Sequence, residues 1–543
     1  MNIKNKTVMG YGISIVGFFL LWLLCYTTLP NKLPLGTVLD GAIIGALSGL
    51  TAMGLVLVYK SARIINFAQA ELGGVASTTA IVLVLGNGLS YIEAVIIGIV
   101  SAIVMGVLID RIIIWRFQRA PRLILTVATI GLAQLFEAAE FKIPTLYGNG
   151  GLKGTNFNAP FHFQTTIGGY VFNENHVLAV IVIPIIMLLI WWFLAKTDIG
   201  IGIRASSDSA DRALLLGIPV RRLSLITWVV AAVLSAIGAI LSQPIQGIQL
   251  GQPLGPEVLL TPLAAAAIAR FEKLPLALYA SIFIGIFEEA VYWSYPKSSW
   301  IYIGLFLLIA IALFTQRQIV TRVAGNELGS FVNIKEIRPL TRAVKKLPAI
   351  RIANVILIAI AVVVLVMIPH LGGSISNASN LIFFTNIAIY GMIAISLVVL
   401  TGWAGQISLG QYAFTGAGAA AMGLFLTSFH FPILPAMLMA TIVGGLIAVI
   451  IGVPALRTSG LNLAVMTLAF AVMLNTGIID SSNFSALTPT QFPTFRLLGR
   501  FDLSQQSTLY YFTIIMLGVV IYLTRNLQKT RSGRIIRAGK IGK

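Results

Sequence analysis

Long apolar runs alternate with short polar stretches along almost the whole chain. Many of these runs hold about 20 residues, the length that an α-helix needs to cross a hydrocarbon core about 30 Å thick. The pattern predicts about 16 hydrophobic segments, some of them half-helices. They lie near residues 10–29, 35–59, 75–88, 91–112, 122–140, 177–195, 223–243, 257–271, 275–292, 300–315, 353–369, 381–401, 408–427, 433–453, 461–478 and 507–524. We therefore expect an all-α fold, a polytopic transmembrane helical bundle.

Two basic segments of ten residues are closely related to each other. Lys196–Ala205 reads KTDIGIGIRA and Lys529–Ala538 reads KTRSGRIIRA, so six of the ten positions are identical. Each segment directly follows a long apolar run, and its basic residues favour the cytoplasmic side of the membrane. The repeat predicts two homologous halves related by pseudo-two-fold symmetry, each with a polar helix at the same face.

Two further landmarks recur in the same order. Val58–Gly74 aligns without gaps to Leu400–Gly416. A shorter match pairs Leu125–Ala128 with Met466–Ala469 at nearly the same spacing. Each match alone is weak, but three in one order support an internal duplication.

A polar, basic stretch at residues 316–351 interrupts the apolar pattern. We predict a first half at residues 1–315, a cytoplasmic linker at 316–351 and a second half at 352–543. The alternative is a long loop within one domain, which the repeat beyond it argues against. The first half continues for about 110 residues after Ala205, whereas only GKIGK follows Ala538. We therefore expect the second half to be incomplete, either by truncation or because another polypeptide supplies the rest.

Composition supports a membrane protein and argues against nucleic-acid binding. Charged residues make up 10% of the chain and hydrophobic residues 57%, whereas a soluble domain carries roughly a quarter charged residues. The net charge of +19 comes from basic residues in the loops between apolar runs, as the positive-inside rule predicts. Cys25, the one cysteine, cannot form a disulfide framework or a Cys-based metal site. The first apolar run lacks a clear cleavage site and is expected to be an anchor.

Polar residues occur within the two aligned segments, where the chain should lie in the bilayer. Polar stretches interrupted by glycine at matching places of two halves point to a translocation path. The residues expected to line it are Asn66, Gln69, Glu71, Gln406, Ser408 and Gln411. The alternative for the charged positions is that Lys60 and Arg63 end a helix at the cytoplasmic surface, with Glu71 paired to one of them.

The stretch Arg204–Leu223 reads RASSDSADRALLLGIPVRRL and predicts a short cytoplasmic helix. Asp208 and Asp211 near its start suit the positive end of a helix dipole, and Gly217 with Pro219 ends the helix. One small apolar face, formed by Ala205, Ala210, Ala213 and Leu214, would fit a groove on a partner protein. The alternative is an ordinary surface helix.

Signatures of covalent chemistry are missing from the sequence. It contains neither a GxxxxGK[ST] phosphate loop nor a serine nucleophile elbow. The histidines fall in expected outer loops or edges without metal-ligand spacing, at His162, His176, His370 and His430. We expect a transport pore driven by an external motor, with no enzyme activity, cofactor or metal of its own.

Several stretches resemble the permease subunits of bacterial branched-chain amino acid ABC transporters. The first half is similar to one permease subunit at Gly54–Glu71, Arg204–Pro219 and Leu260–Glu289. The second half is similar to the partner subunit at Leu400–Gly418 and Ile451–Phe470. The resemblance covers nearly the whole chain apart from the linker, and indicates a fusion of two permease subunits.

The resemblance implies a multi-pass importer of branched-chain, hydrophobic amino acids in the bacterial inner membrane. An extracytoplasmic substrate-binding protein would deliver the small-molecule substrate, and two separate ATP-binding cassette ATPase subunits would drive alternating access. No nucleic-acid partner is expected. The residues assigned to ATPase coupling are Arg204, Ala205, Asp208, Asp211, Ala213 and Gly217 in the first half, with Gly533 and Arg537 in the second.

The chain departs from the family pattern at several positions. Gln69 and Gln411 stand where the family has histidine, and ARFEK at Ala269–Lys273 replaces a Gly-Gly pair. Three alternatives stay open: a urea or short-amide permease of the same family, an ion-coupled secondary transporter, and a scaffold left by truncation. The secondary transporter would need a carboxylate near the bilayer midplane, for which Glu137 and Glu140 are candidates.

Overall fold

The structure, a computed structural model, describes much of both halves of the chain. It covers residue 27 and residues 33–117, 122–146, 157–208, 210–247, 256–295, 299–315, 348–371, 377–406, 408–455, 461–479, 496–497 and 500–541. Within these ranges the chain is almost entirely helical, and eleven helices are long and apolar enough to cross a membrane. The prediction of an all-α, polytopic membrane protein is confirmed.

The chain divides into two compact units, Met1–Gln316 and Arg317–Lys543. The predicted linker falls mostly outside the described residues, at 316–347, and its last four positions belong to a helix that starts at Pro348. The linker therefore stays a prediction. The first apolar run, 10–29, also lies outside the described residues apart from position 27.

The first unit contains seven long helices, several short ones and one hairpin among its described residues. Its elements are α1 Leu35–Ala62, α2 Gln69–Asn87, α3 Tyr91–Leu108 (continued by a π-helical turn, Ile109–Ile114), α4 Arg122–Leu146, β1 Gln164–Ile167, β2 Tyr170–Asn173, α5 Glu174–Lys196, α6 Asp198–Asp208, α7 Ala210–Leu215, α8 Val220–Gln246, α9 Leu260–Ile268, α10 Leu274–Ser294 and α11 Ser299–Thr315. The strands β1 and β2 pair antiparallel, with Gln164 opposite Asn173.

The second unit repeats the first part of this order. Its elements are α12 Pro348–Met367, α13 Ala378–Leu397 (continued by a π-helical turn, Val398–Trp403), α14 Gln411–Thr427, α15 Ile433–Ala455, α16 Leu461–Val472 (continued by Met473–Ile479), β3 Arg496–Leu497, β4 Phe501–Asp502, α17 Gln506–Lys529 and α18 Arg531–Ile541. From α13 onward they correspond in type and order to α1–α6, including the antiparallel hairpin. The described part of the second unit holds no counterpart of α7–α11.

Glycines bring α1 and α10 of the first unit into backbone contact. A Cβ added at Gly45 would lie 2.5 Å from the carbonyl oxygen of Ser281, and one added at Gly285 would meet the backbone of Gly41 and Gly45. Lipid supplies little hydrophobic drive between helices, so close backbone approach through small residues is what holds them together. This packing forms the frame around the cavity described below.

A strained turn joins α9 to α10. Arg270 and Phe271 both adopt the left-handed conformation, with φ of 57° and 52°. Phe271 is buried, and its ring lies 4.9 Å from that of Tyr59 between centroids. The segment ARFEK thus places two bulky residues where the backbone favours glycine.

Candidate functional site

The membrane helix α1 stops where the aligned polar segment begins. Arg63 ends the helix in the left-handed conformation, with φ of 55°, and its backbone N–H donates to the Tyr59 carbonyl. Its guanidinium donates to the backbone carbonyl of Ser207 on α6, at 2.7 Å. Arg63 therefore ties the break after α1 to the polar segment that is expected to be cytoplasmic.

Two of the predicted path residues, Asn66 and Gln69, form a buried network at the start of α2. Both side chains are fully buried, and the Asn66 amide donates to Gln69 Oε1 at 2.8 Å. Gln69 Nε2 donates to the Ala231 carbonyl at 2.8 Å and to Ser235 Oγ at 2.7 Å, both on α8. These bonds fix the broken helix against α8, and neither side chain lines a described cavity. Their role in the path stays a prediction.

The aligned segment of the second unit ends its break in the same way. The hydroxyl of Ser408 accepts from the Gly410 N–H at 3.3 Å, as Asn66 Oδ1 accepts from the Ala68 N–H at 3.2 Å. Gln411 is the first residue of α14, as Gln69 is the first of α2. Gln411, however, is only half-buried, and its Oε1 accepts from Ser396 Oγ at 3.0 Å.

A threonine on a neighbouring helix caps both breaks. Thr129 Oγ1 accepts from the Phe67 N–H at 3.2 Å, and Thr467 Oγ1 accepts from the Leu409 N–H at 3.0 Å. The structure thus makes Thr129 the counterpart of Thr467, three residues from the sequence alignment, which pairs Thr126 with it. The residues Phe67 and Leu409 are themselves aligned, so the duplication extends to the contacts of the break.

The remaining predicted path residues have different surroundings. Glu71 is buried beside Glu140 of α4 rather than paired with Lys60 or Arg63. Gln406 is half-buried in the break, and its backbone N–H donates to the Leu400 carbonyl at 3.2 Å. The alternative in which Lys60 and Arg63 end a helix fits the structure, whereas the ion pair with Glu71 does not.

A cavity of about 450 Å³ lies within the first unit, and we call it the acidic cavity. It is lined by Asp40 of α1, by Glu257 ahead of α9, and by Glu288 and Glu289 of α10. Glu288 accepts a hydrogen bond from the Thr261 hydroxyl. None of the described residues that line the cavity is a lysine, arginine or histidine. The cavity therefore offers hydrogen-bond acceptors and negative charge.

One wall of the acidic cavity is organised by a buried Asp–His pair. His176, in the first turn of α5, places Nε2 3.0 Å from Asp40 Oδ1, and both side chains are buried. Asn173 caps α5 and holds the other ring nitrogen, with His176 Nδ1 2.6 Å from its Oδ1. Burial, together with the nearby Asp40 and Glu289 carboxylates, raises the pKa of the Tyr170 phenol, so that Tyr170 stays neutral at the cavity wall.

Sequence reasoning missed this cavity. Glu288 and Glu289 lie in the last two turns of α10, and both line the acidic cavity. His176 lies at a helix edge, in the first turn of α5, and its side chain is buried. One signal could have revealed the site, since Asp40 is a lone carboxylate inside an apolar run and such residues mark functional positions in membrane helices.

The segment assigned to ATPase coupling forms two short helices, α6 and α7. Arg204 is exposed, Ala205 is half-buried and Ala213 is buried. Asp208 and Asp211 lie on these helices, but their side chains are outside the described part of the structure.

The end of α7 exposes three consecutive leucines. Leu214, Leu215 and Leu216 are 58%, 88% and 79% exposed. They precede Gly217, which turns the chain with φ of 79°. The predicted apolar face is therefore partly internal at Ala213, whereas its Leu214 is exposed and belongs to the leucine triplet that forms the outward surface.

The two basic repeats start with the same helix cap. Thr197 Oγ1 accepts from the Gly200 N–H at 3.1 Å, and Thr530 Oγ1 accepts from the Gly533 N–H at 3.2 Å. Both glycines pack against the carbonyl of the preceding membrane helix, leaving no room for a Cβ. Arg537 lies on α18, but its side chain is outside the described residues.

Comparison with known proteins gives a single family for both units. The profile described as "Branched-chain amino acid transport system / permease component" matches residues 37–315 and 379–540. The chain is 23% identical over 265 residues to the high-affinity branched-chain amino acid transport system permease protein BraD of Pseudomonas aeruginosa, covering 46% of this chain and 83% of that protein. It is 26% identical over 269 residues to the probable branched-chain amino acid transport permease protein LivH of Methanocaldococcus jannaschii, covering 47% and 80%. For LivH of Escherichia coli K12, described as high-affinity, the identity is 23% over 296 residues, covering 51% and 92%.

Proposed function

Because this chain belongs to the family of branched-chain amino acid transport permeases, we propose that it is the permease of an ATP-driven importer for branched-chain, hydrophobic amino acids. Two separate ATP-binding cassette subunits hydrolyse ATP, and an extracytoplasmic substrate-binding protein delivers the substrate. The chain itself catalyses no covalent reaction. The family match to both units and the eleven candidate membrane spans support this role in a cell membrane.

The leucine triplet at the end of α7 carries the ATPase part of the proposal. Leu214–Leu216 stand out from a segment whose basic neighbours, such as Arg212 and Arg222, favour the cytoplasmic side. Apolar side chains exposed among polar ones, away from lipid, mark a protein interface. Arg63 links this segment directly to the break after α1, so movement of a docked ATPase would reach the membrane helices.

The coupling residues and the polar residues of the two breaks complete the proposal. Arg204, Ala205, Asp208, Asp211, Ala213 and Gly217 position the first docking surface, and Gly533 and Arg537 belong to the second. Along the substrate path we place Asn66, Gln69, Glu71, Gln406, Ser408 and Gln411. The matching caps in both units support a shared function for the breaks.

The test is co-purification of ATPase subunits with a tagged Leu215→Asp variant from native membranes. We expect this variant to lose the ATPase subunits, because a carboxylate replaces the most exposed apolar side chain of the triplet. Leu371→Asp is the matched control, because Leu371 is also an exposed leucine, with 58% of its surface accessible. It follows a short helical turn after α12 in the second unit, far from α7 along the chain. Equal recovery of ATPase subunits with both variants would contradict the proposal.

A second candidate function, ion-coupled transport, is favoured by the buried pair Glu71 and Glu140. Both carboxyls lie within membrane-spanning helices and next to each other. Intramembrane carboxyls of this kind serve ion coupling in secondary transporters. Uptake that survives ATP depletion but collapses with a protonophore would favour this candidate over the importer.

A urea or short-amide substrate is the alternative within the same family. Uptake assays with leucine and urea in the same vesicles separate the two, and urea transport without leucine transport would replace the amino acid assignment.

A further inference from the structure

The acidic cavity has the size and composition of a ligand site for a positively charged group. Its volume of about 450 Å³ falls within the range of about 300–1,000 Å³ that small-ligand pockets occupy. Asp40, Glu257, Glu288 and Glu289 reach it from separate parts of the chain, and its described lining residues include no cationic side chain. An anion entering this space would meet like charge in a medium of low dielectric, whereas an ammonium group would meet opposite charge.

Gln243 gives an independent sign that the cavity takes a ligand with N–H groups. Its side chain lines the cavity and is 3% exposed, yet its Oε1 has no hydrogen-bond partner. A buried amide oxygen without a partner is costly. A donor group on a bound solute would satisfy it.

The rest of the lining suits a short aliphatic chain. Ile44 and Leu47 of α1 and Ile301 and Leu305 of α11 line the same cavity. A solute with an ammonium group and a branched apolar tail would therefore find partners for both ends.

We infer that the acidic cavity binds the amino end of an aliphatic amine, and that the described residues that line it offer no cationic partner to a substrate carboxylate. This inference rests on the proposed function, and it narrows the class of substrate proposed there. The permease unit itself recognises the ammonium group and the apolar tail, so removal of the α-carboxylate from leucine leaves the binding determinants in place. Aliphatic amines are then ligands of the permease.

The experiment measures binding to the purified full-length chain in lipid nanodiscs by isothermal titration calorimetry, without a substrate-binding protein. The probes are leucine, 3-methylbutylamine, which lacks the carboxylate, and 4-methylpentanoate, which lacks the amino group. We expect the amine to bind at least as tightly as leucine, and the acid to bind at least about tenfold more weakly, since it forfeits the charged contacts.

Two substitutions test whether this binding takes place in the acidic cavity. Glu289→Gln keeps the shape of the side chain and removes its charge, and it should weaken binding of 3-methylbutylamine by about tenfold. Glu257→Gln, outside the membrane helices, is the second variant in case Glu289→Gln lowers the yield of folded protein. Glu272→Gln makes the same chemical change at an exposed position outside the cavity and should leave binding unchanged.

The results separate this inference from the proposed function. Equal binding of 4-methylpentanoate and the amine, or equal loss of binding in Glu289→Gln and Glu272→Gln, would overturn the inference. Leucine uptake that depends on ATP and on a binding protein, with no amine binding to the permease, would overturn it while leaving the proposed function intact. Amine binding that Glu289→Gln weakens, in a chain whose uptake is independent of ATP, would support the cavity assignment and remove the importer.

Discussion

The breaks that precede α2 and α14 have the same backbone contacts but different surroundings. In each break a threonine from a neighbouring helix caps the loop, and a glutamine opens the next helix. Gln69 is fully buried and bonded to α8, whereas Gln411 is half-buried and bonds to Ser396. The described second unit holds no counterpart of α8. Local sequence therefore determines the cap, and the neighbouring helices determine how deeply the break is buried.

Glycine packing shows the same difference between the units. At Gly45 an added Cβ would strike the backbone of α10, whereas at Gly445 of α15 it would meet nothing within 4 Å. The glycines of α1 and α10 are closely packed, whereas several glycines of the second unit, such as Gly418 and Gly452, are open. Gly45 and Gly445 do not correspond to each other in the repeat, but substitutions at the two glycines test whether the units differ in packing.

The largest effect is expected from Gly45→Leu. The new side chain would push α1 away from α10, and overpacking against backbone costs about 3 kcal/mol of stability. Gly445→Leu should be neutral or slightly stabilising, since it adds helix propensity in open space. Thermal unfolding of both variants in the same detergent provides the measurement. Equal destabilisation would mean that another element covers the α15 face.

The next largest effect is expected at the paired glutamines. Gln69→Leu removes the bonds to Ala231 and Ser235 and leaves buried groups unpaired, which should lower stability by about 2 kcal/mol. Gln411→Leu should change stability by less than about 1 kcal/mol, because Gln411 is half-buried, yet it should impair transport without loss of membrane insertion. Unfolding temperature and uptake are measured on both variants, and wild-type uptake by Gln411→Leu would count against its place in the path.

The threonine caps should behave alike in the two units. Thr129→Val and Thr467→Val each remove the acceptor of a loop N–H and should cost about 1 kcal/mol. The control is Thr79→Val, because the Thr79 hydroxyl bonds only within its own helix, to the Val75 carbonyl. Stability is measured by thermal unfolding. A loss of stability in only one of the two cap variants would show that the same cap geometry does not stabilise both units equally.

The smallest effect concerns backbone strain. Arg270 in the first unit and His430 in the second are exposed and left-handed, with φ of 57° and 52°. Replacing His430 with glycine should raise stability by about 0.5–1 kcal/mol, because glycine adopts this conformation without a steric cost, and Arg270→Gly should gain less because it also removes an interaction of the arginine. Phe271→Gly should have the opposite sign, since it removes the buried ring beside Tyr59. Unfolding temperatures that fall for all three variants would contradict the strain argument.

Much of the architecture follows from the sequence because lipid imposes a simple length rule. The apolar runs locate the long helices. The two related basic segments, Lys196–Ala205 and Lys529–Ala538, correctly pair the helix caps at Thr197 and Thr530. The helix predicted from the apolar run at 75–88 begins earlier, at Gln69. Its first turn is polar and gives no hydrophobic signal in the sequence, although α8 buries it in the structure.

The acidic cavity as a whole could not be predicted from the sequence, for a different reason, although Asp40 alone carries a signal. Asp40, Glu257 and Glu289 are apart along the chain, and only the packing of α1, α10 and the turn ahead of α9 brings them to one space. In the sequence Glu257 and Glu289 have ordinary local explanations as a loop acid and a helix end, and only Asp40 stands out. Periodicity identifies which face is apolar but does not specify which distant carboxylates will share a cavity.

The Asp40–His176 pair also sets an order of events during membrane insertion. The two residues are 136 positions apart in the chain, so at a synthesis rate of about 5–20 residues per second Asp40 emerges roughly 7 to 27 seconds before its partner. During that interval α1 carries a carboxylate that costs free energy in lipid. We therefore expect α1 to gain its full stability in the membrane only when α5 is in place, and substitution of His176 to remove that gain.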